Sequence, residues 1–154
     1  MAGVVESLLA ELGLALPAAP APAANYVPVV QTGNLLFVSG QISRSPSGEE
    51  VAGKLGAGLT IEQGQRAAEL CALNILAQVK AAVGDLDRIV RVVRLNGFVN
   101  SAPDFVDHPQ VINGASNLMG KVLGERGKHS RCALGVAALP FGVAVEIDAV
   151  VEVA

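Results

Sequence analysis

The strongest constraint in this sequence lies at its C-terminal end, where VAVEIDAVVEV covers residues 143–153. In an extended chain Val143, Val145, Ile147, Ala149 and Val151 fall on one face, and Glu146, Asp148 and Glu152 fall on the other. A period of two over that length specifies a strand with one buried face, and no amphipathic helix satisfies it. SRCALGVAAL at 130–139 precedes it, separated by a Pro-Phe-Gly turn, so the chain ends in two strands. Glu146 therefore points away from whatever covers the apolar face.

The rest of the chain supplies the cover. From Tyr26, YVPVVQTGNLLFVSGQ reads as two antiparallel strands joined by a turn at Thr32-Gly33-Asn34. Residues 43–59 are rich in Ser, Gly and charge, with SPSG as a turn, and form a loop at the rim of a site. Thr60 and Gln63 have the spacing of a capping box. Ile61, Ala68, Cys71, Ile75 and Val79 then mark one face of a helix that Gly84 ends near residue 83. A third strand spans Asp87 to Asn100, with Gly97 as a bulge. Val111, Leu118 and Val122 indicate a second helix within 104–124, weakened by Gly114 and Gly120.

At the other end, Val5, Leu8, Leu9 and Leu12 predict a short amphipathic helix over 3–13, and LPAAPAPAA cannot continue it. Residues 1–24 thus read as a helix and Pro/Ala connector appended to a domain at 25–154. The order ββαβαββ predicts an α+β fold: one mixed sheet with two helices on one face, plus the short N-terminal helix. The second sheet face is left for other subunits.

Composition narrows the function. At 154 residues the chain fits one domain, and 51% hydrophobic against 16% charged residues is more apolar surface than a monomer readily hides. Oligomerisation is the expected outlet. Pro140, Gly142, Glu146 and Asp148 interrupt the apolar C-terminal stretch, so no membrane span is expected. Glu6 and Glu11 break any secretion-signal pattern, which favours the cytoplasm. The net charge of −3 makes nucleic acid an unlikely partner. Cys71 and Cys132 lack CxxC spacing, and His108 and His129 lack neighbouring ligands, so neither a metal nor a cofactor is expected.

Taken alone, Arg131 and Glu146 on two successive strands can approach each other across the sheet or across a subunit boundary, and a cross-strand ion pair is the simpler reading. GKLGAG before Thr60 could cradle an anion at a helix N-terminus, but the phosphate-loop order GxxxxGK[ST] is absent and a plain loop is the simpler reading. Ser39 and His129 lack the GxSxG context of a hydrolase nucleophile.

SGQI at 39–42, SPSGE at 45–49 and SRCALGVAALP followed by VEIDAV across 130–150 together resemble the RidA/YjgF/YER057c/UK114 family of reactive-intermediate deaminases, over roughly Tyr26 to the C-terminus. The resemblance implies a chorismate-mutase-like fold assembled as a homotrimer, with sites in clefts between subunits. It places the family's carboxylate-binding arginine on Arg131 and its water-holding glutamate on Glu146. It places further substrate contacts on Tyr26, Gly40 and Asn113, with backbone donors around Cys132 and Ala133. The implied activity is hydrolysis of 2-imino or enamine acids to 2-keto acids and ammonia. A non-catalytic 2-keto acid binding module and an endoribonuclease are the alternatives. Arg131 beside Glu146 would hold the glutamate ionised and weakly basic. The chain departs from the family pattern in its N-terminal extension and in the longer third-strand segment RVVRLNGFVNSAPDF.

Overall fold

The computed structural model describes residues 2–22 and 24–154; Met1 and Ala23, the latter within the Pro/Ala connector, lie outside them. The elements are α1 (Val4–Glu11), β1 (Val29–Thr32), β2 (Leu35–Ile42), β3 (Lys54–Leu55), β4 (Gly58–Leu59), α2 (Ile61–Val83), β5 (Ile89–Asn100), α3 (His108–Leu123), β6 (Ser130–Val136) and β7 (Val145–Val153). Five strands form one sheet in the order β1-β2-β7-β5-β6. All its pairings are antiparallel except β5 with β6, so the sheet is mixed. Helices α2 and α3 pack against each other and over one face. The fold is α+β, as expected from the order of the elements.

Strand β7 sits at the centre and alternates without interruption between buried and half-buried residues from Val145 to Val153. Its apolar side meets Leu95 and Val99 of β5, Val38 of β2, and Ala68, Cys71 and Ile75 of α2 in one core. The start of α2 is determined locally. Thr60 Oγ1 accepts from the Gln63 backbone N–H at 3.2 Å, and Gln63 Oε1 accepts from the Thr60 N–H at 2.8 Å. Its end is determined by Gly84, whose φ of 88° is the left-handed geometry that stops a helix.

Three expectations change. Gly97 is not a bulge: it pairs in register with Ala133 and Ile147, and the irregularities of β5 lie between Ile89 and Arg91 and between Val92 and Arg94. The glycine is there because a Cβ would stand 2.6 Å from Ile112 of α3, so a side chain would push the helix off the sheet. Similarly, Gly114 does not weaken α3 so much as let it approach α2, since a Cβ there would fall 2.1 Å from the Gln65 carbonyl oxygen. Finally, the loop at 43–59 carries the short pair β3 and β4, and Lys54 neither cradles an anion nor hangs free. Its Nζ donates to Asn100 Oδ1 at 2.7 Å and to the Ala137 carbonyl at 2.5 Å, tying the loop to the end of the sheet.

The N-terminal helix is also more than an appendage. Val5 and Leu9 are 0% and 1% exposed and belong to the main core, and Leu14 and Leu16 pack against it. The Asp87 carboxylate accepts from the Val4 and Val5 N–H groups at 2.8 and 3.0 Å and so caps α1 from a distant turn. Those bonds, with Val5 the larger contributor, hold the Asp87 carboxyl below the usual carboxylate range. Lys80 of α2 pairs with Glu6 of α1.

Candidate active site

β1 pairs with β2 only as far as Val38, and the register of β2 against β7 then shifts between Val38 and Gln41. Beyond that irregularity Gly40 lies directly over Glu146: a Cβ at Gly40 would come within 3.0 Å of the glutamate Cδ. A side chain there would press on the glutamate and displace its carboxylate by a few tenths of an ångström. Tyr26, Gly40 and Glu146 line a common cavity of about 500 Å³. Glu146 is half-buried on the helix-free side of β7. Burial first, and the charge of Asp148 second, raise its carboxyl above the ordinary glutamate value. Burial also pushes the Cys71 thiol, behind the same strand, well above its ordinary value, with the Glu146 charge adding to the effect.

Arg131 lies elsewhere. On β6 it pairs with Leu95, Leu95 pairs with Ala149, and these residues share the helix-covered face. Strand β5 separates β6 from β7 and Glu146 faces the other side, so the sheet itself keeps the two residues apart within one protomer. Instead Arg131 Nη1 donates to Asn113 Oδ1 at 2.8 Å and to Ser116 Oγ at 3.1 Å, both on α3. Arg131 and Asn113 line a second, shallower cavity of about 350 Å³ with Ser116 and His129.

The opposite sign of charge effect follows for Glu146. The expectation of a carboxyl held ionised concerns an Arg131 brought beside it at a subunit boundary; within one protomer Glu146 has burial and a neighbouring aspartate instead, and both make it more basic.

Ser116 and His129 were not anticipated as partners of Arg131. His129 Nδ1 lies 2.6 Å from the Gly127 carbonyl, which can only accept, so Nδ1 carries the proton in the neutral ring. Nε2 is then an acceptor, and the Ser116 hydroxyl 2.8 Å away donates to it while its own oxygen receives Arg131. The chain Arg131 to Ser116 to His129 to Gly127 has one direction throughout. The spacing from Asn113 to Ser116, one helical turn, is the sequence signal that could have paired them. Ser39, once considered beside His129, donates to the Val27 carbonyl instead.

The remaining candidates separate. Cys132 is exposed on the helix-free face, where Arg94 Nη2 donates to its sulfur at 3.0 Å. Ala133 faces the helices and packs against the core. Among the described residues no helix is long and apolar enough to cross a membrane.

A chorismate-mutase-like α+β protein with a half-buried glutamate in a cavity and, on the other face of the sheet, an arginine hydrogen-bonded to a helix is the class that this geometry defines. The family model described as "YjgF/chorismate_mutase-like, putative endoribonuclease" matches residues 6–151. The chain belongs to this YjgF/RidA family. It is 55% identical to the protein Atu1372 of Agrobacterium tumefaciens, whose crystal structure is described as one of unknown function; the TM-score is 0.91 over 98% of this chain and 94% of that one. It is 31% identical to the mouse 2-iminobutanoate/2-iminopropanoate deaminase over 86% of this chain and 84% of the relative. The crystal structure of E. coli TdcF with bound serine matches with 26% identity and a TM-score of 0.61, over 90% of this chain and 92% of that one.

Proposed function

We propose that the protein hydrolyses 2-imino acids, the tautomers of reactive enamines, to 2-keto acids and ammonia, in a site that takes Glu146 from one copy and Arg131 from another within a homotrimer. The observation that carries this reading is Glu146: a half-buried carboxyl with raised basicity, facing a cavity beneath Gly40 and Tyr26. The relatedness to a mouse imine deaminase supports the reaction class. TdcF, which holds serine, supports a ligand bearing a carboxylate. A second copy is supported by the helix-free sheet face, which exposes Val30, Phe37 and Leu134.

In this mechanism Arg131 holds the substrate carboxylate, its guanidinium oriented by Asn113 and Ser116 so that little side-chain freedom is lost on binding. Because the substrate carboxylate neutralises Arg131, the basicity of Glu146 stays governed by burial and Asp148. Ionised Glu146 takes a proton from water as the water oxygen attacks the imine carbon. The C=N π electrons move to nitrogen, which takes the proton back from Glu146, giving a neutral carbinolamine and restoring the carboxylate. Transfer of the hydroxyl proton to nitrogen then lets ammonia leave as the keto C=O forms, and no oxidant or reductant is required.

Mixing subunits tests the shared site. Arg131→Ala and Glu146→Gln should each be inactive towards 2-iminobutyrate. Co-refolded as mixed trimers they should regain a substantial fraction of wild-type ammonia release, because some interfaces then carry both native residues. Two inactive variants that stay inactive when co-assembled would show that the site is not shared. His129→Ala should leave kcat within about twofold and raise KM roughly fivefold, the effect of losing one neutral hydrogen bond of about 1 kcal/mol that orients Arg131. A change confined to kcat would place His129 in the chemistry instead.

A further inference from the structure

The Pro/Ala connector does not trail in solvent. The Gln78 side chain, 2% exposed, donates from Nε2 to the Pro20 carbonyl at 2.6 Å. With α1 held in the core and capped by Asp87, the segment is anchored before its first proline and again at Pro20. Pro20, Ala21 and Pro22 thereby become one wall of the Glu146 cavity. Pro28, Pro46 and Phe141 line the same cavity.

Phe141 adds an independent observation. Its φ of 57° is in the left-handed region, where a bulky side chain is disfavoured. Nevertheless Phe141 is 63% exposed at the cavity wall, with the Arg44 guanidinium 4.5 Å from the ring centroid. Hydrophobic burial within the protomer does not explain an aromatic ring held outward by a strained backbone. An apolar group entering the cavity would cover it.

A cavity of about 500 Å³ falls within the range that encloses drug-sized ligands, and a three-carbon imino acid would leave most of it to water against apolar walls. We propose that the connector and Phe141 make this site selective for 2-imino and 2-keto acids with a bulky apolar substituent, branched or aromatic, over the three- and four-carbon acids. This selectivity rests on the imine-hydrolase reading above. Each methylene buried contributes roughly fourfold in affinity, so several together exceed an order of magnitude.

The test uses the full-length protein with imines generated from alanine, leucine and phenylalanine by an amino-acid oxidase. In parallel, calorimetry measures binding of pyruvate, 4-methyl-2-oxopentanoate and phenylpyruvate. The leucine- and phenylalanine-derived imines should exceed the alanine-derived one at least tenfold in kcat/KM, and the keto acids should bind in the same order. Ala21→Trp, an exposed position on the cavity wall, should lower the bulky-to-small ratio at least tenfold in both measurements. Preference for the small acids, or a ratio unmoved by Ala21→Trp, would overturn the proposal. Keto acids that bind in the bulky order without turnover of any imine would leave the selectivity standing and remove the hydrolase reading.

Discussion

Replacing Glu146 with glutamine should lower kcat for imine hydrolysis by at least about a hundredfold while leaving 2-keto acid binding within about threefold. That is the range lost when a positioned general base is removed, and the amide keeps the shape of the side chain. The pH profile makes the expectation sharper. Burial and Asp148 raise the Glu146 carboxyl, so the protonated, inactive form persists to a higher pH than in an ordinary glutamate. The acid limb of kcat, read with substrate bound and Arg131 neutralised, should therefore lie above the usual glutamate range, with activity rising as pH increases through the raised value and none of that limb left in Glu146→Gln. Asp148→Asn removes the smaller of the two causes and should move the limb towards lower pH. Asp148 accepts from Asn96 Nδ2 at 2.6 Å, and an amide in its place can still receive that bond through its oxygen. A limb in the ordinary glutamate range, or substantial activity in Glu146→Gln, would remove this residue from the chemistry.

Gly114→Ala should have the largest effect on stability, a loss of at least about 3 kcal/mol, which for a domain of this size lowers Tm by roughly 6–12 °C. The new Cβ would sit 2.1 Å from a backbone oxygen, 2.7 Å from its carbonyl carbon and 2.8 Å from the Cα of Gln65. No side-chain rotamer relieves that clash, so α2 and α3 must separate. Because α3 carries Asn113 and Ser116, the Arg131 clamp should loosen as well, with KM rising in the fraction that remains folded. Gly120 supplies the control on the same helix. A Cβ there meets nothing within 4 Å, so Gly120→Ala should raise stability by up to about 1 kcal/mol through helix propensity alone. Thermal melts of the two variants side by side separate propensity from packing. Equal Tm values would contradict the close approach of the helices.

Much of the fold was legible because its signals are local. The alternation of β7, the Thr60 and Gln63 capping box and the stop at Gly84 depend on residues a few positions apart, and all three form as the sequence indicates. Glycines 97 and 114 were misread for the complementary reason. From sequence a glycine is a weak helix or strand residue, whereas here each is a point of contact with a helix that is distant or not yet placed in the chain. The N-terminal helix was underestimated in the same way, since Asp87, which caps it, is more than eighty residues away in sequence.

The candidate site divides along the same line. Sequence by itself determined that Glu146 lies on the polar side of a central strand, because a period of two leaves no freedom in which way a side chain points. It also determined, through the motif resemblance, which arginine and glutamate to consider. Only the tertiary structure decided that β5 stands between their strands, that they face opposite sides of the sheet, and that burial and Asp148 raise Glu146 within one protomer. Strand order and burial are set by pairings and contacts across the whole chain. An electrostatic environment depends on what is near in space, so its sign could not be read from residues near in sequence.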